Sequence, residues 1–375
     1  MSLTIKQQLS RNLINLAGTR ISRKIVVIES DDWGSIRVPS KATYELFVKK
    51  GYGVENSAYN RYDSLESEDD VTSLFEVLHS FKDPHHQSAV FTANCIVANP
   101  DFDKIKQSGF KDYYYELVTD TIKKYPSHHQ IVDLWKEGLK NKIFVPQCHG
   151  REHLHVGRWM KRLQAGDKDV LFCFDQQTTF SGDGKTDYSF MEALDFDAAS
   201  ELEGLNTILA EGLQLFNRFF GYASKSFIAP CYTWHPAMEP VMKANNVDYL
   251  QGNITQLQPP FINNHYKVSY HYMGQHSVNG LRYFIRNCIF EPTLHPGLDS
   301  VGRCLKQIEI AFRWNKPAII SSHRLNYMGY LDEANRTKNL LLLKQLLTGI
   351  QNNWPEVEFM STDQLGDLIF LKQAS

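Results

Sequence analysis

The sequence lacks the short patterns that mark several common kinds of site. Its six cysteines include no CxxC pair, which argues against a zinc ribbon or a thioredoxin-type redox site. In a chain of 375 residues they need not form disulfides, and buried free thiols in a reducing compartment are the default expectation. The first apolar run, Lys24–Glu29, is followed by no glycine fingerprint, and no Walker-type loop occurs. A doubly wound nucleotide-binding sheet is therefore not favoured.

Long hydrophobic runs and an excess of one charge are also missing. No stretch of ~18 apolar residues is present, so no membrane span is predicted. The formal net charge is −2, with 40 Lys and Arg against 42 Asp and Glu, so nothing indicates a nucleic-acid partner. The content of 42% hydrophobic and 22% charged residues predicts a folded globular chain. The oligomeric state stays open.

The first 23 residues contain no continuous apolar segment and no small-residue cleavage site. They are not typical of a signal peptide, and a cytoplasmic location is expected. Leu9, Leu13 and Leu16 recur at helical spacing, which predicts a short amphipathic helix. We expect residues 1–23 to form an N-terminal helical extension and residues 24–375 to form a single domain.

Short apolar runs alternate with helical patterns along the rest of the chain. The runs are typical of strands buried on both faces; they are Lys24–Glu29, Ser88–Val97, Lys142–Gln147, Ser226–Pro230, Val247–Gln251, Leu281–Ile289, Pro317–Ser322 and Val357–Ser361. The helical patterns lie near residues 70–80, 102–124, 130–140, 198–219, 301–313 and 333–351. This alternation predicts an α/β fold with a parallel sheet. Eight strand candidates favour a (β/α) barrel over an open sheet.

Polar side chains follow several of these runs. Asp31 and Asp32 come after the first run, His149 after the third, Cys231–Trp234 after the fourth and His323 after the seventh. Barrel enzymes place their chemistry at the rim formed by the carboxyl ends of the strands. The sequence therefore predicts that these side chains converge at one rim.

The segment from His149 to His153 offers two imidazoles four residues apart. If a helical turn follows the strand, both rings lie on the same side and can reach one metal ion. The alternative is a histidine-rich loop that binds nothing. The Glu lies next to the second His, so the zinc-peptidase pattern HExxH is not present.

Asp31 and Asp32 are adjacent carboxylates at the end of a buried strand. Burying both is unfavourable unless something compensates their charge, and a metal ion is the usual compensation. The alternatives are that both are solvated or that one caps a helix. Together with His149 and His153, one carboxylate would complete a set of three ligands with open positions. His323, also at a strand end, is either a buried core residue or a proton donor.

These motifs resemble those of the polysaccharide deacetylases, carbohydrate esterase family 4. That family carries an Asp-Asp pair after its first strand, a His-x-x-x-His motif after its third, and a catalytic His after a later strand. The resemblance implies that Asp31 is the general base, that Asp32, His149 and His153 bind a divalent metal ion, and that His323 is the general acid. It also implies a distorted barrel, here with seven or eight strands and insertions, and Zn²⁺ as the expected metal.

One family motif departs from this pattern. The family has Arg-Pro-Pro-Tyr after its fourth strand, and that Arg orients the base, whereas the corresponding stretch here reads Ile228-Ala229-Pro230-Cys231. Arg151, Arg286 and Arg324 are the candidates to replace it. Substrate contacts are expected from Trp33, Cys231, Tyr232, Trp234 and Arg324.

The sequence thus predicts a metal-dependent hydrolase that removes N- or O-acetyl groups from a carbohydrate. One alternative is a glycoside hydrolase on a related barrel, which would need a second carboxylate some ~5–9 Å from Asp31, with Glu291 as the candidate. The other alternative is a non-catalytic sugar-binding protein of the same fold. The absence of the family Arg favours this last alternative.

Overall fold

The computed structural model describes residues 3–125, 127–180, 190–262 and 265–371. Its helices are α1 (Ile5–Leu16), α2 (Lys41–Lys50), α3 (Ala58–Tyr62), α4 (Glu68–His79), α5 (Phe102–Gln107), α6 (Val118–Lys123), α7 (Ile131–Lys140), α8 (Val156–Gln164), α9 (Lys168–Asp175), α10 (Leu202–Phe220), α11 (Glu239–Ala244), α12 (Ser300–Arg313), α13 (Glu333–Asn353) and α14 (Thr362–Gly366). Within these residues, no helix is both long enough and apolar enough to cross a membrane.

The strands are β1 (Ile25–Trp33), β2 (Phe91–Cys95), β3 (Ala98–Pro100), β4 (Tyr115–Leu117), β5 (Phe144–Cys148), β6 (Ser226–Phe227), β7 (Tyr249–Gly252), β8 (Thr255–Ile262), β9 (His265–Tyr270), β10 (Arg282–Ile285), β11 (Cys288–Ile289), β12 (Ala318–His323) and β13 (Glu358–Phe359). The main sheet is parallel, in the order β10-β7-β6-β5-β2-β1-β12-β11, and β13 pairs with the start of β1. Two antiparallel pairs, β3 with β4 and β8 with β9, stand apart from it.

The sheet returns on itself through the interrupted strand that contains β10 and β11. β10 pairs with β7, while β11 pairs with β12 at the other end of the sheet. Only Arg286 and Asn287 separate them, and their backbone N–H groups donate to Gly252 O (2.8 Å) and Ile319 O (3.1 Å), one on each side. Seven strand positions therefore close into a ring, which confirms the predicted distorted (β/α) barrel.

Alternation along β1 decides which side chains enter the barrel. Val26 and Ile28 belong to the large core cluster under the surrounding helices, which includes Leu343 and Leu347 of α13. Ile25 and Val27 instead belong to the cluster that contains Phe284 and Ile319 from other strands of the ring and Leu365 of α14. Because side chains alternate along a strand, Glu29 and Asp31 follow Ile25 and Val27 toward the interior. The interior is thus apolar at its base and acidic at its carboxyl end.

All eight predicted strands occur, and the segment Leu281–Ile289 is split by the break that closes the ring. The helical pattern at 102–124 was wrong as one helix: it contains α5 and α6, with the short strand β4 between them. Local periodicity could not reveal this, because β4 exists only through its pairing with β3.

Asn287 ties the ring closure to helix α1. Its side-chain amide donates to Asn15 Oδ1 (2.8 Å) and to Pro317 O (2.9 Å), and its Oδ1 accepts from Ile319 N (2.9 Å). All of these groups are buried, so each would be unsatisfied without the amide.

Asn287→Ala should lower the free energy of unfolding by roughly 2–4 kcal/mol, because three buried polar groups lose their partner. Denaturant titration followed by circular dichroism would measure the change. Asn352→Ala, at an exposed position of α13, is the control. Equal midpoints for the two variants would show that the amide does not stabilise the closure.

Candidate active site

A bulge at the end of β1 lets both adjacent aspartates face the same cavity. In a regular strand, neighbouring side chains point to opposite faces. Here the pairing with β2 shifts register between Ser30 and Trp33, and Asp32 has a positive φ of 78°. A bulge with such a backbone redirects one side chain. Asp31 and Asp32 therefore line one cavity although they are consecutive.

Asp32 lies against the two histidines of the HxxxH segment. Its Oδ1 is 3.4 Å from Nε2 of His149 and 3.4 Å from Nε2 of His153, and the three candidate ligand atoms lie within 4.8 Å of one another. The two rings converge from a loop, because α8 begins only at Val156, and not from the helical turn that the spacing suggested. Gly150, with φ of 117°, provides the backbone conformation that the loop needs.

Burial and neighbouring charges shift the pKa values of Asp32 and His153. Burial raises the pKa of the Asp32 carboxyl, but His153, His149 and Arg37 together hold it well below its usual value. Burial lowers the pKa of His153 to about 3 despite the nearby Asp32, so this imidazole is neutral at pH 7. His149 Nδ1 lies 2.8 Å from Ile228 O, which fixes the ring and leaves Nε2 for a ligand. One carboxylate and two imidazoles could hold Zn²⁺ or a similar divalent ion.

Asp31 has a different set of partners. Arg286 binds both of its oxygens, with Nη1–Oδ2 at 2.6 Å and Nη2–Oδ1 at 2.7 Å, and Asn94 donates to Oδ1 (2.7 Å). The Nε of Arg286 donates to Glu29 (2.6 Å). Burial raises the pKa of Asp31, but Arg286 lowers it more, to about 2. Asp31 is thus an ionised carboxylate, held in place by a bidentate ion pair.

Of the three arginines that the sequence offered as candidates, Arg286 is the one that binds Asp31. It comes from the break between β10 and β11, and not from the segment after β6, where the family Arg would lie. The other two candidates are engaged elsewhere: Arg151 binds Glu152 and Glu211, and Arg324 is fully buried against Asp63 and Glu66.

His323 faces Asp31 across the β1–β12 pairing. The parallel register places the two residues opposite each other, with His323 Nε2 3.7 Å from Asp31 Oδ2. Its Nδ1 lies 2.6 Å from Glu291 Oε1. Burial lowers the pKa of His323, but Glu291 and Asp31 raise it, and the outcome is about 9. The imidazole is therefore protonated at neutral pH.

A cavity of about 530 Å³ contains Asp31, Asp32, His149, His153 and His323 in its wall. The rest of the wall combines apolar side chains with polar and aromatic ones; among these are Phe47, Val54, Phe180, Phe190, Ser57, Tyr59, Asn60, Thr178 and Thr179. Such a volume is typical of a site for a small molecule.

The five predicted substrate contacts differ in position. Cys231 and Tyr232 line the cavity, and both have positive φ values, 55° and 56°, as residues at functional sites often do. Trp33 is fully buried, with Nε1 donating to Ser30 Oγ, and Trp234 stacks on Tyr283. Neither tryptophan nor Arg324 lines the cavity. The large side chains of Trp33, Trp234 and Arg324 pack in the protein interior.

Three further residues of the site were not predicted from the sequence. Arg37, in the loop after β1, has Nη2 3.7 Å from Asp32 Oδ2, and no motif marks it. Asn94 lies in an apolar run and contacts Asp31 only because β1 and β2 are neighbours. Glu29 did leave a signal: it is a charged residue in a buried run, two positions before Asp31 and therefore on the same face.

Comparisons with known proteins give only distant similarities. No protein-family model matches the sequence, and no curated protein matches it. Similar solved structures include a probable polysaccharide deacetylase from Pseudomonas aeruginosa PAO1, 9% identical, with a TM-score of 0.44 over 92% of this chain and 90% of that chain. They include the allantoinase PuuE, 8% identical, with a TM-score of 0.45 over 95% of this chain and 94% of that chain.

A further similar structure is a 4-alpha-glucanotransferase from Thermococcus litoralis, 9% identical with a TM-score of 0.42. The match covers 92% of this chain but 40% of that one, so the present chain corresponds to less than half of the glucanotransferase. Similarity at these levels indicates neither a reaction nor a substrate for this protein.

The purified protein should contain about one divalent ion per chain, because one set of three ligands is present in the cavity. His149→Ala and His153→Ala should each weaken metal affinity by tenfold or more. His155→Ala is the matched control, because that ring caps α8 through Arg158 N. Inductively coupled plasma mass spectrometry after dialysis would measure the content, and full occupancy in the His149/His153 double variant would exclude this site.

Proposed function

We propose that this protein is a metal-dependent hydrolase that removes N- or O-acetyl groups from a carbohydrate. The observation that carries the proposal is the different environment of two consecutive carboxylates in one cavity. Asp32 lies against two imidazoles, whereas Asp31 is held by Arg286 and faces His323. One rim thus carries a candidate metal ligand, a candidate base and a candidate acid, which supports the proposal.

Asp32, His149 and His153 would hold the ion. When bound, such an ion supplies Lewis acidity: it makes a nearby water easier to deprotonate and stabilises the negative charge that develops on an acyl oxygen. The chain itself keeps Asp31 ionised through Arg286. Asp31 can therefore accept a proton from the attacking water, while Arg286 fixes the direction of its oxygens.

His323 would supply the proton that the leaving group needs. It is protonated at neutral pH, and Glu291 fixes Nδ1, so that Nε2 is directed toward Asp31 and the cavity. The leaving amine or alkoxide of an acetylated sugar is a poor leaving group unless it is protonated. A base and an acid on facing sides of one cavity suit this reaction.

The carbohydrate part of the proposal rests on the resemblance of the Asp-Asp, HxxxH and terminal His motifs to polysaccharide deacetylases. The wall of the cavity is compatible with a carbohydrate. Asn60, Thr178 and Thr179 can form hydrogen bonds with sugar hydroxyl groups, and the ring of Tyr59 can pack against a sugar face.

Two observations weigh against the alternatives. Both oxygens of Glu291 are engaged, one with His323 Nδ1 (2.6 Å) and the other with Asn326 Nδ2 (2.7 Å), and Glu291 does not line the cavity. It is therefore poorly placed to be the second carboxylate of a glycosidase. The missing Arg no longer favours a non-catalytic protein, because Arg286 binds Asp31.

Asp31→Asn should retain metal and lose at least a hundredfold in kcat on an acetylated sugar, because general base catalysis is removed while all three ligands remain. Asp32→Asn should lose metal as well as activity. Metal content and acetate release, measured on the same samples, would separate the two roles. Equal metal loss in both variants would contradict the division between the aspartates.

Glu291→Gln should move the alkaline limb of the kcat/KM–pH profile to lower pH by about one unit or more. The proton donor is active only when protonated, so its pKa sets that limb, and the variant removes a carboxylate that raises this pKa. The acid limb should move little, because Asp31 keeps Arg286. Glu309→Gln, at an exposed position of α12, is the control. An unmoved alkaline limb would mean that Glu291 does not tune His323.

A further inference from the structure

Helix α1 exposes four of its five apolar side chains, and the fifth, Ile14, packs against a core cluster of the barrel. Ile5, Leu9, Leu13 and Leu16 keep 79%, 61%, 67% and 50% of their surface exposed. With 3.6 residues per turn, these four positions fall within about 80° of one another around the helix axis. They form a continuous apolar ridge, here called the leucine ridge.

The opposite side of α1 attaches to the barrel through polar groups. Asn15 is buried and bonded to Asn287, Arg11 Nη1 donates to Asn287 O (3.2 Å), and Asn12 Oδ1 accepts from Trp314 Nε1 (2.9 Å). A surface helix ordinarily buries its apolar stripe and exposes its polar one. In α1 the ridge is exposed instead, and its four side chains belong to none of the core clusters of the described residues. An exposed apolar patch of this kind marks an interaction site.

We propose that the leucine ridge inserts into the surface of an anionic lipid bilayer and attaches the protein to it without a membrane span. The charge of the segment favours this occupant. Residues 1–24 contain five basic residues and no Asp or Glu. Lys6 and Arg20 are exposed, and neither has a carboxylate partner in the described residues. Arg23 and Lys24 instead pair with Glu358 and Glu356. Exposed leucines on a helix with unpaired basic residues on it and just after it are typical of segments that lie in the bilayer interface.

Two exposed tyrosines occur in the segment that approaches the C-terminal end of α1. Gly18 follows α1 and lies close to the loop after β9. A Cβ atom on Gly18 would be 2.9 Å from Tyr272 Cδ2. Tyr272 and Tyr270 are 45% and 71% exposed. Tyrosine is enriched at the depth of lipid headgroups, where its ring is half in apolar surroundings and its hydroxyl in water.

A second copy of the chain fits the ridge less well. The ridge consists of four side chains on a helix about 18 Å long, whereas each partner of a stable protein interface contributes ~800 Å² and roughly 20–30 residues. Two such segments would also bring basic residues toward each other, and like charges oppose association.

Vesicle flotation of the metal-loaded full-length chain tests the proposal. The wild type should float with vesicles of phosphatidylcholine plus phosphatidylglycerol, and less with phosphatidylcholine alone or at high salt. Leu9→Gln/Leu13→Gln should reduce the partition coefficient by about tenfold for each leucine replaced. Lys6→Glu/Arg20→Glu should reduce the preference for the anionic vesicles. Leu341→Gln replaces a leucine of α13 that is also 57% exposed, and it should bind as the wild type does.

The binding assay needs no turnover, so its result is independent of the proposed hydrolase activity. Unchanged metal content and melting temperature would show that the variants are folded. Failure of the folded wild type to float with anionic vesicles, or equal binding by the Leu9/Leu13 variant, would overturn the proposal. A wild-type dimer in analytical ultracentrifugation that the same variant converts to monomer would also overturn it, because the occupant would then be a second copy.

Discussion

One buried guanidinium organises the carboxyl end of the barrel. Arg286 bonds to Glu29 with Nε and to both oxygens of Asp31 with its terminal nitrogens. Without it, two carboxylates two residues apart on one strand would repel each other in a region with little water. The same residue lies in the strand break where the ring closes, and its backbone N–H bonds to Gly252. The closure of the fold and the ionised state of the candidate base therefore depend on one position.

The difference between Asp31 and Asp32 follows from backbone geometry. The bulge and the positive φ at Asp32 bring both carboxylates to one cavity, but only Asp31 keeps the strand alternation that places it beside Glu29 and Arg286. Asp32 is instead directed at His149 and His153. The ion pair with Arg286 thus engages Asp31, and Asp32 remains available to bind a metal ion.

The sequence was informative where chemistry is local. Buried strands are visible as apolar runs, and the polar residues that follow them include Asp31, Asp32, His149, His153 and His323. The sequence did not predict contacts that depend on the closure of the ring. Leu281–Ile289 looked like one strand, so nothing indicated a break at Arg286, and the sequence could not choose between Arg286, Arg151 and Arg324 as the partner of Asp31. Large residues near the motifs, such as Trp33, Trp234 and Arg324, could not be assigned either, because composition does not distinguish the wall of a cavity from the core behind it.

We propose that Asp32, and not Asp31, binds the ion, while Asp31 stays in its ion pair with Arg286. Anomalous diffraction at the zinc edge, from crystals of the metal-loaded protein, tests it most directly. We expect a single anomalous-difference peak about 2.0–2.2 Å from one oxygen of Asp32 and from Nε2 of both His149 and His153. The ion pair of Asp31 and Arg286 should be intact. A peak bonded to Asp31, or the absence of a peak at these three residues, would contradict it.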